Sequence, residues 1–161
     1  MLGVDFGFDE YLRRLKRELD RVDRGGAECL SDLLYEAWDK GRFVFLFGNG
    51  GSAATASHLA EDLGKNCIAP DDLAAAAGKR LKILSLTDNV AWITALANDL
   101  RYDQVFVQQL AHYASPADLA IAISGSGNSP NVLEAVDWAN RHGLVTFGLT
   151  GFDGGKLKKI Q

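Results

Sequence analysis

The chain has 161 residues, 47% of them apolar and 24% charged, with a formal net charge of −4. That is the balance of a soluble globular domain, large enough to bury one substantial core. Scattered Lys and Arg in a net-acidic chain argue against nucleic acid as a ligand. No apolar run approaches the roughly 18 residues of a membrane span, and no basic-then-apolar leader opens the chain, which argues against a membrane. Cys29 and Cys67 lie far apart without a CxxC, so they read as reduced thiols of a cytoplasmic protein.

One domain is expected over 1–161, with helices in 1–40 and an α/β core in 41–161. Phe8, Leu12, Leu15, Leu19 and Val22 form a helical stripe over 6–22. The RRLKREL run within it reads as a solvated face. Gly25-Gly26 is expected to stop that helix, and a second to run over 27–40, with Leu30, Leu33, Leu34, Ala37 and Trp38 on one side. The two helices carry more apolar surface than one short sheet needs, so part of it is expected to face another subunit.

Four unbroken apolar runs follow, over 43–47, 81–86, 119–123 and 145–149. Continuous hydrophobicity, rather than alternation, marks strands buried on both faces, as in a parallel sheet. Helical segments over 52–65, 90–96, 102–114 and 129–142 alternate with them. The result is a doubly wound α/β sheet covered on both sides. The stretch 69–80, with PDDLAAAAGK, is open between a short helix and a loop. After Leu149-Thr150, GFDGGKLKKIQ starts like a helix. A doubly wound sheet usually has a fifth strand and a closing helix, so either this domain is unusually short or a C-terminal part is missing from this sequence.

Two strand-to-helix loops are built for an anion. Gly48-Asn49-Gly50-Gly51-Ser52 follows the first strand. Its glycines let the backbone turn tightly, Ser52 is a good N-cap, and the helix behind it offers N–H groups. Ser124-Gly125-Ser126-Gly127-Asn128-Ser129 follows the third strand, and Ser129-Pro130 is a strong helix-start signal. Each loop alone is ordinary turn chemistry. Two of them on one sheet favour an anion site. Gly48, Gly50 and Ala53 fit G-x-G-x-x-A, but no acid closes the next strand to take a ribose, and no P-loop motif occurs. A small phosphorylated ligand fits better than NAD or ATP.

GNGGSAATASHLAEDL, SLTDN, ALANDLRYDQVF, AISGSGNSPNVLEA and LTGFDGG, taken in order over 43–156, resemble the sugar isomerase (SIS) domain family, and in particular its phosphoheptose isomerases. The resemblance implies a flavodoxin-like α/β sandwich preceded by two helices. It implies a homotetramer with active sites at subunit interfaces, and interconversion of sedoheptulose 7-phosphate and D-glycero-manno-heptose 7-phosphate. Carried over by motif, Asn49, Gly50, Gly51 and Ser52, with Ser124, Ser126, Asn128 and Ser129, would hold the sugar phosphate, and Asp88 would contact sugar hydroxyls. His58 and Asp62 fall where the family has a zinc-binding His and a Glu that also serves as the catalytic base. The family's further zinc ligands and acid, a Gln and a His, lie on a C-terminal helix that this sequence does not include. Position 62 is Asp where Glu is usual, with Glu61 beside it, and Gly125 stands where a Thr is common. Some SIS proteins keep the loops without the chemistry, so a phosphosugar-binding scaffold of the DnaA-associating type is the alternative.

Isomerisation of a ketose to an aldose moves a proton through an enediol, and needs a base near carbon with an acid or metal at the carbonyl oxygen. His58 and Asp62 share a helix face at i,i+4, extended by Thr55. A solvated pair at that spacing is worth only a few tenths of a kcal/mol. What favours chemistry is its position just past an anion loop. His112 and His142 stand without a cluster and read as surface or packing residues. Trp38, Trp92 and Trp138 read as core or interface.

Overall fold

The computed structural model describes residues 7–161. They fall into two compact units, split between Asp32 and Leu33. The first holds α1 (Phe8–Asp20) and the start of α2 (Arg24–Lys40). No residue of α1 is buried. The glycine pair expected to stop the first helix lies instead inside the first turn of α2. Asp23 explains this: its carboxylate accepts the Gly26 N–H at 3.0 Å, and that N-terminal cap outweighs the low helix propensity of two glycines.

The second unit is a four-stranded parallel sheet with helices on both faces. The strands are β1 (Phe43–Gly48), β2 (Lys82–Ser85), β3 (Leu119–Ser124) and β4 (Val145–Thr150), in the order β2-β1-β3-β4. The central pair are buried along nearly their whole length, which is why their sequences run apolar without alternation. β2 and β4 are the edges and are only partly covered.

Alternate residues face opposite sides. Phe45 and Phe47 of β1 and Ala120 and Ala122 of β3 join one core with residues of α6 (Val107–Tyr113) and α7 (Pro130–Arg141). Small alanines on β3 let α7 approach, and Val132, Ala135, Val136 and Ala139 present its buried face. Phe47 packs on Phe106 with ring centroids 5.3 Å apart. Burying each such ring contributes about 2–3 kcal/mol. α3 (Gly51–Lys65) packs on the other side, against β1, β2 and β3.

The segment expected as one helix over 102–114 is broken. A 3₁₀ turn over Tyr102–Gln104 precedes α6. Val105, Phe106 and Val107 are buried in succession, and three consecutive residues of a continuous helix would spread over more than half its circumference. The open stretch 69–80 contains a short helix, α4 (Pro70–Ala74), and α5 (Val90–Asp99) follows β2 with Asn89 as its side-chain cap. Among the described residues no helix is long and apolar enough to cross a membrane. Strand order reverses between β1 and β3, so the loops leaving these two strands flank the crevice where doubly wound sheets bind ligands.

Candidate functional site

The first loop turns at Gly50, whose φ of +55° lies in the left-handed region that favours glycine. That requirement corrects the expected cap. Gly50, not Ser52, is the cap residue, and Ser52 lies in the first turn of α3. No side chain caps this terminus, so the positive end of the helix dipole stays available to an anion. Gly50 is exposed and Ser52 half-buried.

The serine loop is more tightly organised. Ser124 is buried; its Oγ accepts the Gly127 N–H at 3.2 Å and lies 3.4 Å from Ser129 Oγ. Ser126 is exposed, and its Oγ accepts the Asn128 N–H at 3.2 Å. Ser129 is the cap residue of α7 and Pro130 its first residue, as the sequence signals, and Ser129 makes no side-chain cap bond. The Asn128 amide serves the loop itself: Nδ2 donates to Ser126 O at 2.8 Å, and Oδ1 accepts the Lys156 N–H at 3.2 Å.

That second bond belongs to a brace the sequence reading missed. The Gly151 N–H donates to Gly125 O at 3.0 Å and the Leu157 N–H to Gly127 O at 2.9 Å. The GFDGGK segment after β4 thus holds the serine loop from behind. Gly127 has φ +62°, and a Cβ there would come within 1.9 Å of Gly154 O. LTGFDGG signalled a turn, but nothing in it named the loop it supports.

The exposed face of α3 carries His58, Glu61 and Asp62, with candidate ligand atoms within 4.8 Å of one another. His58 Nε2 lies 3.3 Å from Asp62 Oδ2, and Asn66 Nδ2 donates to Asp62 Oδ1 at 2.7 Å. Asn66 stands four residues past Asp62, so helical spacing could have found it. Glu61 points to Lys65 instead, at 2.5 Å. The hydrogen bond from Lys65, aided by its charge and opposed by partial desolvation, holds the Glu61 carboxyl below its usual 4.5. Glu61 is thus engaged with Lys65, and Asp62 is the acid that faces His58.

Asp88 is exposed at the end of the β2–α5 turn, yet anchored. The Ser57 hydroxyl donates to its carboxylate and lies 3.1 Å from Thr87 Oγ1, which reaches the buried Ser85 hydroxyl at 2.6 Å. Ser57 precedes His58, so α3 ties Asp88 to the His58–Asp62 face. Asp88 also lines an open cleft of about 400 Å³ with Ser85, Asn89, Gln109 and Tyr113. The other histidines stay apart: His142 stacks on Trp138 at 3.9 Å and His112 meets Trp92 edge-on at 4.9 Å, while all three tryptophans are half-buried.

The family model of the SIS domain matches residues 8–151. The chain belongs to the SIS domain family. Within this SIS chain, 148 residues are 38% identical to the phosphoheptose isomerase of Chlorobaculum parvum, covering 92% of this chain and 68% of that protein. A probable phosphoheptose isomerase of Thermoplasma acidophilum is 40% identical over 131 residues, 81% of this chain and 68% of its own. Among solved structures, phosphoheptose isomerase GmhA from Neisseria gonorrhoeae superposes with a TM-score of 0.81 at 31% identity, covering 95% of this SIS chain and 76% of that one. A phosphoheptose isomerase from Francisella tularensis gives the same TM-score at 26% identity, over 99% and 80%.

Proposed function

We propose that the protein is a phosphosugar isomerase that interconverts D-sedoheptulose 7-phosphate and D-glycero-manno-heptose 7-phosphate through an enediol. The observation that carries this reading is the path of α3. It leaves the first anion turn at the strand-order switch, presents the His58–Asp62 pair, and through Ser57 holds Asp88. The serine loop and the uncapped N-terminus of α3 are built for the phosphate and its neighbouring oxygens, and Asp88 for sugar hydroxyls. Asp62, hydrogen-bonded by Asn66 and beside His58, is the proposed base that takes the proton from carbon.

A divalent ion fits the donor chemistry here. One imidazole and a carboxylate on adjacent helical turns, with Glu61 close by, are hard and borderline ligands suited to zinc. His58 and Asp62 would hold it, and it would supply charge to polarise the sugar carbonyl. Assembly as a homotetramer is part of the same proposal and follows the resemblance.

The test assays full-length protein on sedoheptulose 7-phosphate, with and without zinc, beside Asp62→Asn and Glu61→Gln. Asp62→Asn is expected to lower kcat by about 10²–10⁴-fold, the usual contribution of a general base. Glu61→Gln is expected to keep most of the rate. Full activity in Asp62→Asn removes Asp62 from the mechanism. Binding of the sugar phosphate without turnover by the wild type favours the scaffold reading, which the shorter Asp62 and the missing hydroxyl at Gly125 would then explain.

A further inference from the structure

Asn49 stands in the first loop, just past β1, and Asn131 is the second residue of α7, behind the serine loop. They are 82 residues apart in sequence, and their amides form a reciprocal pair. Asn49 Nδ2 donates to Asn131 Oδ1 at 2.8 Å, and Asn131 Nδ2 donates back to Asn49 Oδ1 at 2.8 Å. The orientation of both amides is fixed by a third partner, since Asn131 Oδ1 also accepts the Val132 N–H at 3.0 Å, and only an oxygen can stand there. A fourth group completes the set: the Tyr102 hydroxyl donates to Asn49 Oδ1 at 3.1 Å.

Asn131 is 2% exposed, so its amide works in a low-dielectric setting where a broken pair would leave unsatisfied polar atoms. Asn49 Oδ1 accepts two bonds and one of the two Nδ2 hydrogens is committed to Asn131, so a single N–H of this amide remains outside the pair. This pair is the side-chain link between the β1 loop and the helix whose N-terminus carries the serine loop. Backbone bonds tie the serine loop to the segment after β4, but not to the first loop.

We infer that Asn49 and Asn131 are positioning residues: the amide pair, steered by Tyr102, sets the separation of the two anion loops, and the Asn49 side chain acts on the sugar phosphate through this pair. The inference rests on the proposed function in one respect, that one ligand spans both loops. A ligand held at two points is sensitive to their spacing, and a displacement on the order of 1 Å can cost about 10²-fold. A ligand held by one loop alone is not.

The experiment compares wild type, Asn49→Ala, Asn131→Ala and the double variant in the full chain. Each is measured for kcat and KM with sedoheptulose 7-phosphate, for its Kd by calorimetry, for the Kd of inorganic phosphate, and for Tm. Each single variant is expected to weaken the sugar phosphate by about tenfold or more through lost positioning. The double variant should be no worse than the weaker single one, because one pair is lost in all three. Inorganic phosphate should bind within about twofold of wild type, since the serine loop is braced independently. Loss in Asn49→Ala alone, or additive losses, would make Asn49 a direct ligand and overturn the inference. Parallel loss of both ligands with Tm would make the pair merely structural and overturn it too. Should Asn131→Ala not fold, Tyr102→Phe at its exposed position is read by the same two ligands, with a smaller shift in the same direction expected. If the wild type binds no sugar phosphate, the proposed function fails while the pair is still tested. Backbone NMR relaxation should then show new exchange broadening over Gly50–Ser52 in Asn131→Ala or Tyr102→Phe, and unchanged relaxation overturns the inference.

Discussion

The two adjacent acids on α3 differ in what they face. Glu61 is drawn to Lys65, Asp62 to His58 and Asn66. Because the Glu61 carboxyl is held below its usual 4.5, the pair with Lys65 is fully formed above the unfolded value and is lost as pH falls through the lower folded one. The Lys65 ammonium is shifted the other way, above its usual 10.5, by the same bond, so its share persists below that value and is lost as pH rises through the folded one. Across the neutral range neither group titrates. The expected outcome is that carboxyl-carbon NMR finds Glu61 titrating below 4.5, and that Lys65→Met returns it towards that value. An unchanged midpoint in Lys65→Met would remove Lys65 as the cause. The exposed pair should leave Tm almost unmoved.

At the level of elements, the serine loop depends on the segment that follows β4. Gly127→Ala forces a Cβ against Gly154 O at a φ of +62°. The backbone conformation alone costs about 1–3 kcal/mol for a residue with a side chain, and the clash adds to it. Thermal unfolding should show that loss, and phosphate affinity should fall because the loop is pushed from its brace; a variant with unchanged Tm and affinity would mean that the brace does not shape the loop. The four strands were legible because a doubly covered strand must be apolar at every position, and Ser129-Pro130 announced α7 through cap chemistry. The two errors at helix starts share a cause. Gly25-Gly26 and Ser52 were read from residue type, whereas Asp23 and the positive φ of Gly50 decide those termini. The links that assemble the site were not legible at all. Ser57 to Asp88, Asn49 to Asn131 and Lys156 to Asn128 span 31, 82 and 28 positions. No local periodicity records such contacts; they exist only once the sheet has set its strand order.

For the whole molecule, α1 poses the remaining question. Phe8, Leu12, Leu15 and Leu19 on this helix are 43–74% exposed, and none of its residues is buried. Covering a leucine fully is worth about 1.5–3 kcal/mol, so four large apolar side chains in water favour association. The full-length protein is expected to run as a homo-oligomer, with a tetramer the state implied by the family resemblance. Light scattering of wild type beside Leu12→Glu/Leu15→Glu should show a lower mass for the variant. A monomer mass for the wild type at micromolar concentration would refute the expectation.

The brace behind the serine loop also sets an order in time. β1, β2 and β3 are all made before Gly151 to Leu157 leave the ribosome, so most of the sheet can pair while the loop is still unsupported. The serine loop therefore gains its support later than the strands that flank it are made.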